Sequence, residues 1–216
     1  MKMKMSALCA ICSLASMMAT IAYGQTTAAL TGVDETYVRS MTGSAGQGYS
    51  LGWEFGMTQN AQVSALGLLD LGFTSGHSVG IWSITGVLLG EATVSESATP
   101  DSNGFAWATL GSDINLSAGQ DYVIAAWYPT DSGSCDNFVT FGTGPTTSSA
   151  VNYLNAETSD LTTSFGAPEF VNSGFNAGIF GPNFQYTSSV PEPSILGLAS
   201  FGIAAVLWQV RRRRVA

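Results

Sequence analysis

The sequence predicts an all-β protein: a single, jelly-roll-like β-sandwich body with a signal helix before it and a transmembrane helix after it. Three observations carry that expectation. Apolar residues recur at every second position through the middle of the chain, turn residues interrupt these runs at short intervals, and no long 3.6-residue pattern intervenes. The 216 residues are 45% apolar, 11% aromatic and 10% charged, too apolar for a disordered chain. A body of some 160 residues is long enough to bury roughly two-thirds of its unfolded surface.

The first element is an address. Lys2 and Lys4 precede an apolar stretch over residues 7–22, and Ala22-Tyr23-Gly24 places small residues three and one positions before Gln25. This is the layout of a secretory signal peptide over residues 1–24. The stretch is short and rich in Ala, Ser and Met, which argues against a permanent anchor. Cys9 and Cys12 leave with it, so Cys135 stands alone in the mature chain and no internal disulfide forms.

The body, residues 25–187, reads as strands. Tyr49, Leu51, Trp53 and Phe55 alternate with Ser50, Gly52, Glu54 and Gly56, which sets four large side chains on one face. Further strands are expected at 62–69, 78–84, 87–94, 104–110, 122–128, 138–141 and 150–154. Thr85-Gly86, Pro100-Asp101-Ser102-Asn103-Gly104, Ala118-Gly119 and Asp131-Ser132-Gly133 separate several of them. Thr187 to Ser189 reads as a small-polar linker to the final segment, residues 188–216.

That segment combines Pro191-Glu192-Pro193, an apolar run over 195–210 and the tail Arg211, Arg212, Arg213 and Arg214. A helix over the run spans roughly 24 Å at ~1.5 Å per residue, enough to cross a membrane once arginines snorkel. The arginines hold their end in the cytoplasm, leaving the body outside. In this order at the C-terminal end of a chain with a signal peptide, these parts resemble the PEP-CTERM sorting signal of Gram-negative bacteria. The resemblance implies that Pro191, Glu192 and Pro193 are recognised by exosortase, a membrane-embedded processing enzyme. It also implies a precursor tethered briefly in the inner membrane and then delivered to the cell surface or an exopolysaccharide matrix. A second resemblance covers about residues 64–128. Gly80-Ile81-Trp82-Ser83, Gly86-Val87-Leu88-Leu89, Gly104-Phe105-Ala106-Trp107 and Ala118-Gly119-Gln120-Asp121-Tyr122 resemble a secreted bacterial sandwich domain of unknown function, which implies a fold and no activity.

Charge excludes one class of partner. Within residues 25–190 fourteen carboxylates face Arg39 alone, a formal charge of −13 that repels a phosphate backbone, so nucleic acid is not expected. A catalytic constellation is not expected either. His77, the only histidine, sits in Thr74-Ser75-Gly76-His77-Ser78 and reads as a solvated loop residue, and a triad would need it to meet a distant serine and aspartate. With one histidine and one mature cysteine, zinc is not expected. Calcium needs only oxygen ligands, and Asp101-Ser102-Asn103-Gly104 or Asp131 with Asp136 and Asn137 could offer them, yet such clusters are usually turns. The expectation is no cofactor, no metal site and no catalytic residue. A binding alternative is polysaccharide stacking on exposed aromatics. Trp53, Trp82, Trp107 and Trp127 lie on expected strands, and of the neighbours Trp127 and Tyr128 at least one should face outward. A third class, a carboxylate-dependent glycoside hydrolase, would use acids such as Glu54 or Asp70 and requires a raised carboxyl pKa in a cleft.

Overall fold

A computed structural model describes residues 24–33, 37–131, 133–140, 145–171 and 178–188. The expected transmembrane helix, residues 195–210, and the expected signal peptide, residues 1–24, lie outside these except for Gly24. Fourteen strands form among the described residues, with no helix. They are β1 (Thr27–Ala28), β2 (Leu30–Gly32), β3 (Tyr37–Arg39), β4 (Gly48–Met57), β5 (Ala61–Leu69), β6 (His77–Ser83) and β7 (Leu88–Val94), followed by β8 (Phe105–Leu116), β9 (Asp121–Pro129), β10 (Phe138–Thr140), β11 (Thr146–Thr147), β12 (Val151–Thr158), β13 (Phe170–Val171) and β14 (Pro182–Ser188).

Two sheets dominate, one ordered β1-β14-β5-β8 and one ordered β13-β12-β4-β9-β6-β7. The pairing is nested. β6 pairs with β7, β5 outside them with β8, β4 outside those with β9, and β1 with β14. Successive nested pairs alternate between the two sheets, and all are antiparallel.

The alternation on β4 explains how the sheets meet. Leu51, Trp53, Phe55 and Met57 all point inward and are buried, where Trp53 stacks on Phe184 of β14 and Phe55 lies 4.8 Å from the same ring, centroid to centroid. The Trp53 Nε1–H donates to the Pro182 carbonyl at 2.9 Å, so the indole spends its one polar atom across the two sheets. Phe180 and Tyr153 extend this aromatic cluster to the β12 side. Asn183, fully buried, accepts from the Leu30 N–H at 2.9 Å and donates to the Leu30 carbonyl at 3.1 Å, pinning β2 to β14.

Strand expectations for β4, β5, β6, β7 and β9 agree with the observed spans within a residue or two. β8 and β12 run several residues further than their alternation suggests. β14 went unexpected, and Thr187 and Ser188, read as linker, are its last two residues.

Strand directions define two ends. At the proximal end Met57, the start of β5, the end of β8, the start of β9 and the β6–β7 turn come together, and Gly24 lies against Thr187 and Ser188. Both ends of the described body therefore emerge side by side. The loops at the distal end carry Asp70, Glu96, Asp101, Asp131 and Asp136.

Candidate functional site

The outward face of the six-stranded sheet carries the most chemistry. Register places Gly52 opposite Ala125 and Ala125 opposite Gly80, a floor of small residues across β4, β9 and β6. A Cβ on Gly52 would collide with the Ile124 carbonyl, and one on Gly80 would sit 2.7 Å from the Trp82 ring, so both must be glycine for the strands and the indole to approach. Trp82 and Trp127 stand on either side of this floor. Between them sits Phe165, 5.1 Å from the Trp82 ring centroid and 6.4 Å from that of Trp127.

Phe165 belongs to a strap, residues 159–169, that crosses the end of β4. Thr162 exchanges both backbone hydrogen bonds with Gly48 at 2.9 Å, the Ser159 N–H donates to the Ser50 carbonyl at 2.9 Å, and the Ser50 N–H donates to Ser159 Oγ at 2.8 Å. An opening of about 590 Å³ lies between the strap and the β6–β7 turn, lined by residues including Ser50, Thr85, Asp160 and Glu169.

On the β12 side of the same face, Asn155 Nδ2 donates to Glu54 Oε2 at 2.6 Å. Glu157 is next along β12 on that face, only 6% exposed. Burial first, and the neighbouring Glu54 charge second, push its carboxyl up to about 7. The Tyr153 hydroxyl, on the inward side of β12, is buried without a partner and is pushed up to about 12 by burial and by the same two acids.

His77 is not the solvated loop residue expected. It is the first residue of β6, fully buried, edge-on to Tyr128 and Phe73. Its Nδ1 lies 2.6 Å from the Trp127 carbonyl oxygen and its Nε2 3.0 Å from Asp136 Oδ2. Glycines and serines around it suggested a turn, but the apolar neighbours of β6 and β9 carry it inside. Both ring nitrogens lie within hydrogen-bond distance of protein oxygens, so neither faces a nucleophile. Asp136 also accepts from the Thr74 N–H at 3.0 Å, tying two distal loops together. Beside it Cys135 is buried, its sulfur accepting from the Met41 N–H at 3.1 Å, and burial raises its thiol pKa.

The remaining expected residues separate cleanly. Trp127 is half-buried on the outward face, whereas Tyr128 is 1% exposed in the core, so of the stacking pair only Trp127 can meet a ligand. Trp53 is core, and Trp107 is half-buried with its Nε1–H on Asp101 Oδ2 at 2.9 Å. The other oxygen of Asp101 accepts from the Asn103 and Phe105 N–H groups, which commits that carboxylate to its turn. Asp70 Oδ1 likewise takes the Gly72 N–H. Among the described residues no three of His, Cys, Asp and Glu gather as a metal site would require. Pro191, Glu192, Pro193 and Arg211 to Arg214 lie outside the described residues.

An all-β body joined at its last strand to a sorting segment defines the class: an exported protein processed at the membrane. Residues 189–214 match the PEP-CTERM protein-sorting motif, which implies export, a membrane-anchored precursor and processing by exosortase. Residues 35–178 match the family described as domain of unknown function DUF4082, and the chain belongs to that family. No curated protein and no solved structure matches the chain.

Proposed function

We propose that the chain is a non-enzymatic cell-surface or extracellular-matrix protein, delivered there by exosortase processing of its C-terminal segment. The observation that carries this reading is the sorting motif at residues 189–214, which begins directly after β14. We read the body as one sandwich in jelly-roll order, a reading supported by eight strands paired in nested fashion across two sheets that share one aromatic core. Removal of residues 189–216 should change the protein's final location while the body keeps its thermal transition. Unchanged fractionation between membrane, surface and medium after that deletion would refute the sorting claim.

A second reading, polysaccharide recognition in the matrix, is favoured by one feature: the half-buried indole of Trp127 shares the outward face with Glu54 and Asn155, an aromatic plane beside polar hydrogen-bonding groups that suits a sugar, whereas Trp82 on the same face is only 4% exposed. Titration of the full chain against a glycan panel including the host exopolysaccharide should then give saturable binding that Trp127→Ala weakens at least tenfold. Flat titrations remove it. The hydrolase reading has less support, because the raised carboxyl belongs to Glu157, whose burial keeps it from a substrate.

A further inference from the structure

The proximal end of the body carries an apolar tip that neither the sorting motif nor the outward face explains. In the β6–β7 turn Ile84 is 56% and Val87 60% exposed, followed by exposed Leu88 and Leu89. Of the seven large apolar side chains exposed among the described residues, four group at this one turn, the others being Tyr37, Val38 and Leu154, and such a grouping marks a contact surface.

Several polar groups of this turn pair with one another. The Gly86 N–H donates to the Ser83 carbonyl and the Ser83 N–H to the Val87 carbonyl, both at 2.9 Å. The Ser83 and Thr85 hydroxyls pair at 2.9 Å, and Ser83 Oγ accepts from the Val87 N–H at 3.2 Å. Gly86 supplies the left-handed residue, φ 81°, that closes such a hairpin. What the tip presents outward is therefore mainly hydrocarbon, held on a hydrogen-bonded turn, which is what entry into the headgroup and acyl boundary of a bilayer requires.

The position of the tip supplies the occupant. Gly24 and Ser188 leave the body at this same end, and the chain runs from Ser188 through Pro191-Glu192-Pro193 into the apolar run at 195. Seven residues at ~3.6 Å each reach at most about 25 Å, so a membrane-embedded run holds the proximal end close to the lipid surface. Charge agrees. Asp121 is the one carboxylate lining the two clefts at this end, of about 440 and 570 Å³, although Asp160 and Glu169 line the wider opening beside the turn. Five acids occupy the distal loops, where an anionic membrane repels them least.

We propose that the proximal end of the tethered precursor rests on the lipid bilayer, with Ile84, Val87, Leu88 and Leu89 as the inserted contact; this rests on the reading of residues 189–216 as a membrane-held segment. The test uses the full chain in vesicles of phosphatidylethanolamine and phosphatidylglycerol, with a diazirine-bearing residue at position 87 or, as the distal control, at position 102. Flotation reports the tether and lipid adducts report the contact. The expected result is flotation of both proteins, with at least tenfold more lipid adduct at 87 than at 102. Ile84→Ser together with Leu88→Ser should lower the adduct at 87 at least threefold without changing flotation. A chain that floats but labels equally at both positions overturns the contact alone. A chain that does not float overturns the contact and the tether together.

Discussion

Glu157 has exchanged water for the flank of β12 and β4 and keeps its proton to about pH 7, whereas an unhindered glutamate loses it near 4.5. The folded state thus binds more protons than the unfolded state between those values. Its contribution to stability is full below about 4.5 and is lost as pH rises through about 7. The loss is on the order of 2 kcal/mol. Denaturant melts across this range should show wild-type stability falling with pH, while Glu157→Gln flattens the profile and gains most above pH 7. A variant as pH-dependent as the wild type would mean that another group carries the effect. Nothing in Val151-Asn152-Tyr153-Leu154-Asn155-Ala156-Glu157 signals this acid. The register shift between Tyr153 and Asn155 sets which β12 side chains share a face with Glu54, and such a shift is invisible in the sequence pattern.

Among elements, legibility followed local alternation. β4 announces itself because its inward residues are all large and its outward ones are Ser50, Gly52, Glu54 and Gly56, whereas β6 and β9 set Trp82 and Trp127 on the outward face and are legible mainly as short apolar runs between turns. β14 was legible in part, since Phe184 and Tyr186 alternate with Asn183 and Gln185, but its leading proline masked a strand that sits inside its sheet between β1 and β5. The strap could not be read at all. Its Ser, Thr, Gly and Pro residues resemble a solvated loop, and only the tertiary fold brings Phe165 between two tryptophans. Phe165→Ala should cost about 1–3 kcal/mol, since a half-buried ring gives less than a core phenylalanine. It should also shift tryptophan emission to the red as water reaches Trp82 and Trp127. Unchanged emission would show that the strap covers those rings without its phenylalanine.

At the scale of the molecule, composition and terminal patterns foretold an all-β exported body with a sorting segment, while the separation of an apolar tip at one end from a group of acidic loops at the other needed three dimensions. The fourteen acids of residues 25–190 show no asymmetry in one dimension; strand direction sorts five of them to the distal loops. The same topology has a temporal side. β14 is the final strand of the described body and lies between β1, at its beginning, and β5. A polypeptide passing N-terminus first through a translocation pore cannot close that sheet until residue 188 has emerged, at which moment the sorting segment is entering the pore. Nascent chains interrupted before Pro182 lack the ring of Phe184 and the clamp of Asn183, and stay open to proteases. Completion of the fold and arrival of the delivery signal thus coincide, and the cell's degradation machinery can remove unfinished copies before they are ever handed on.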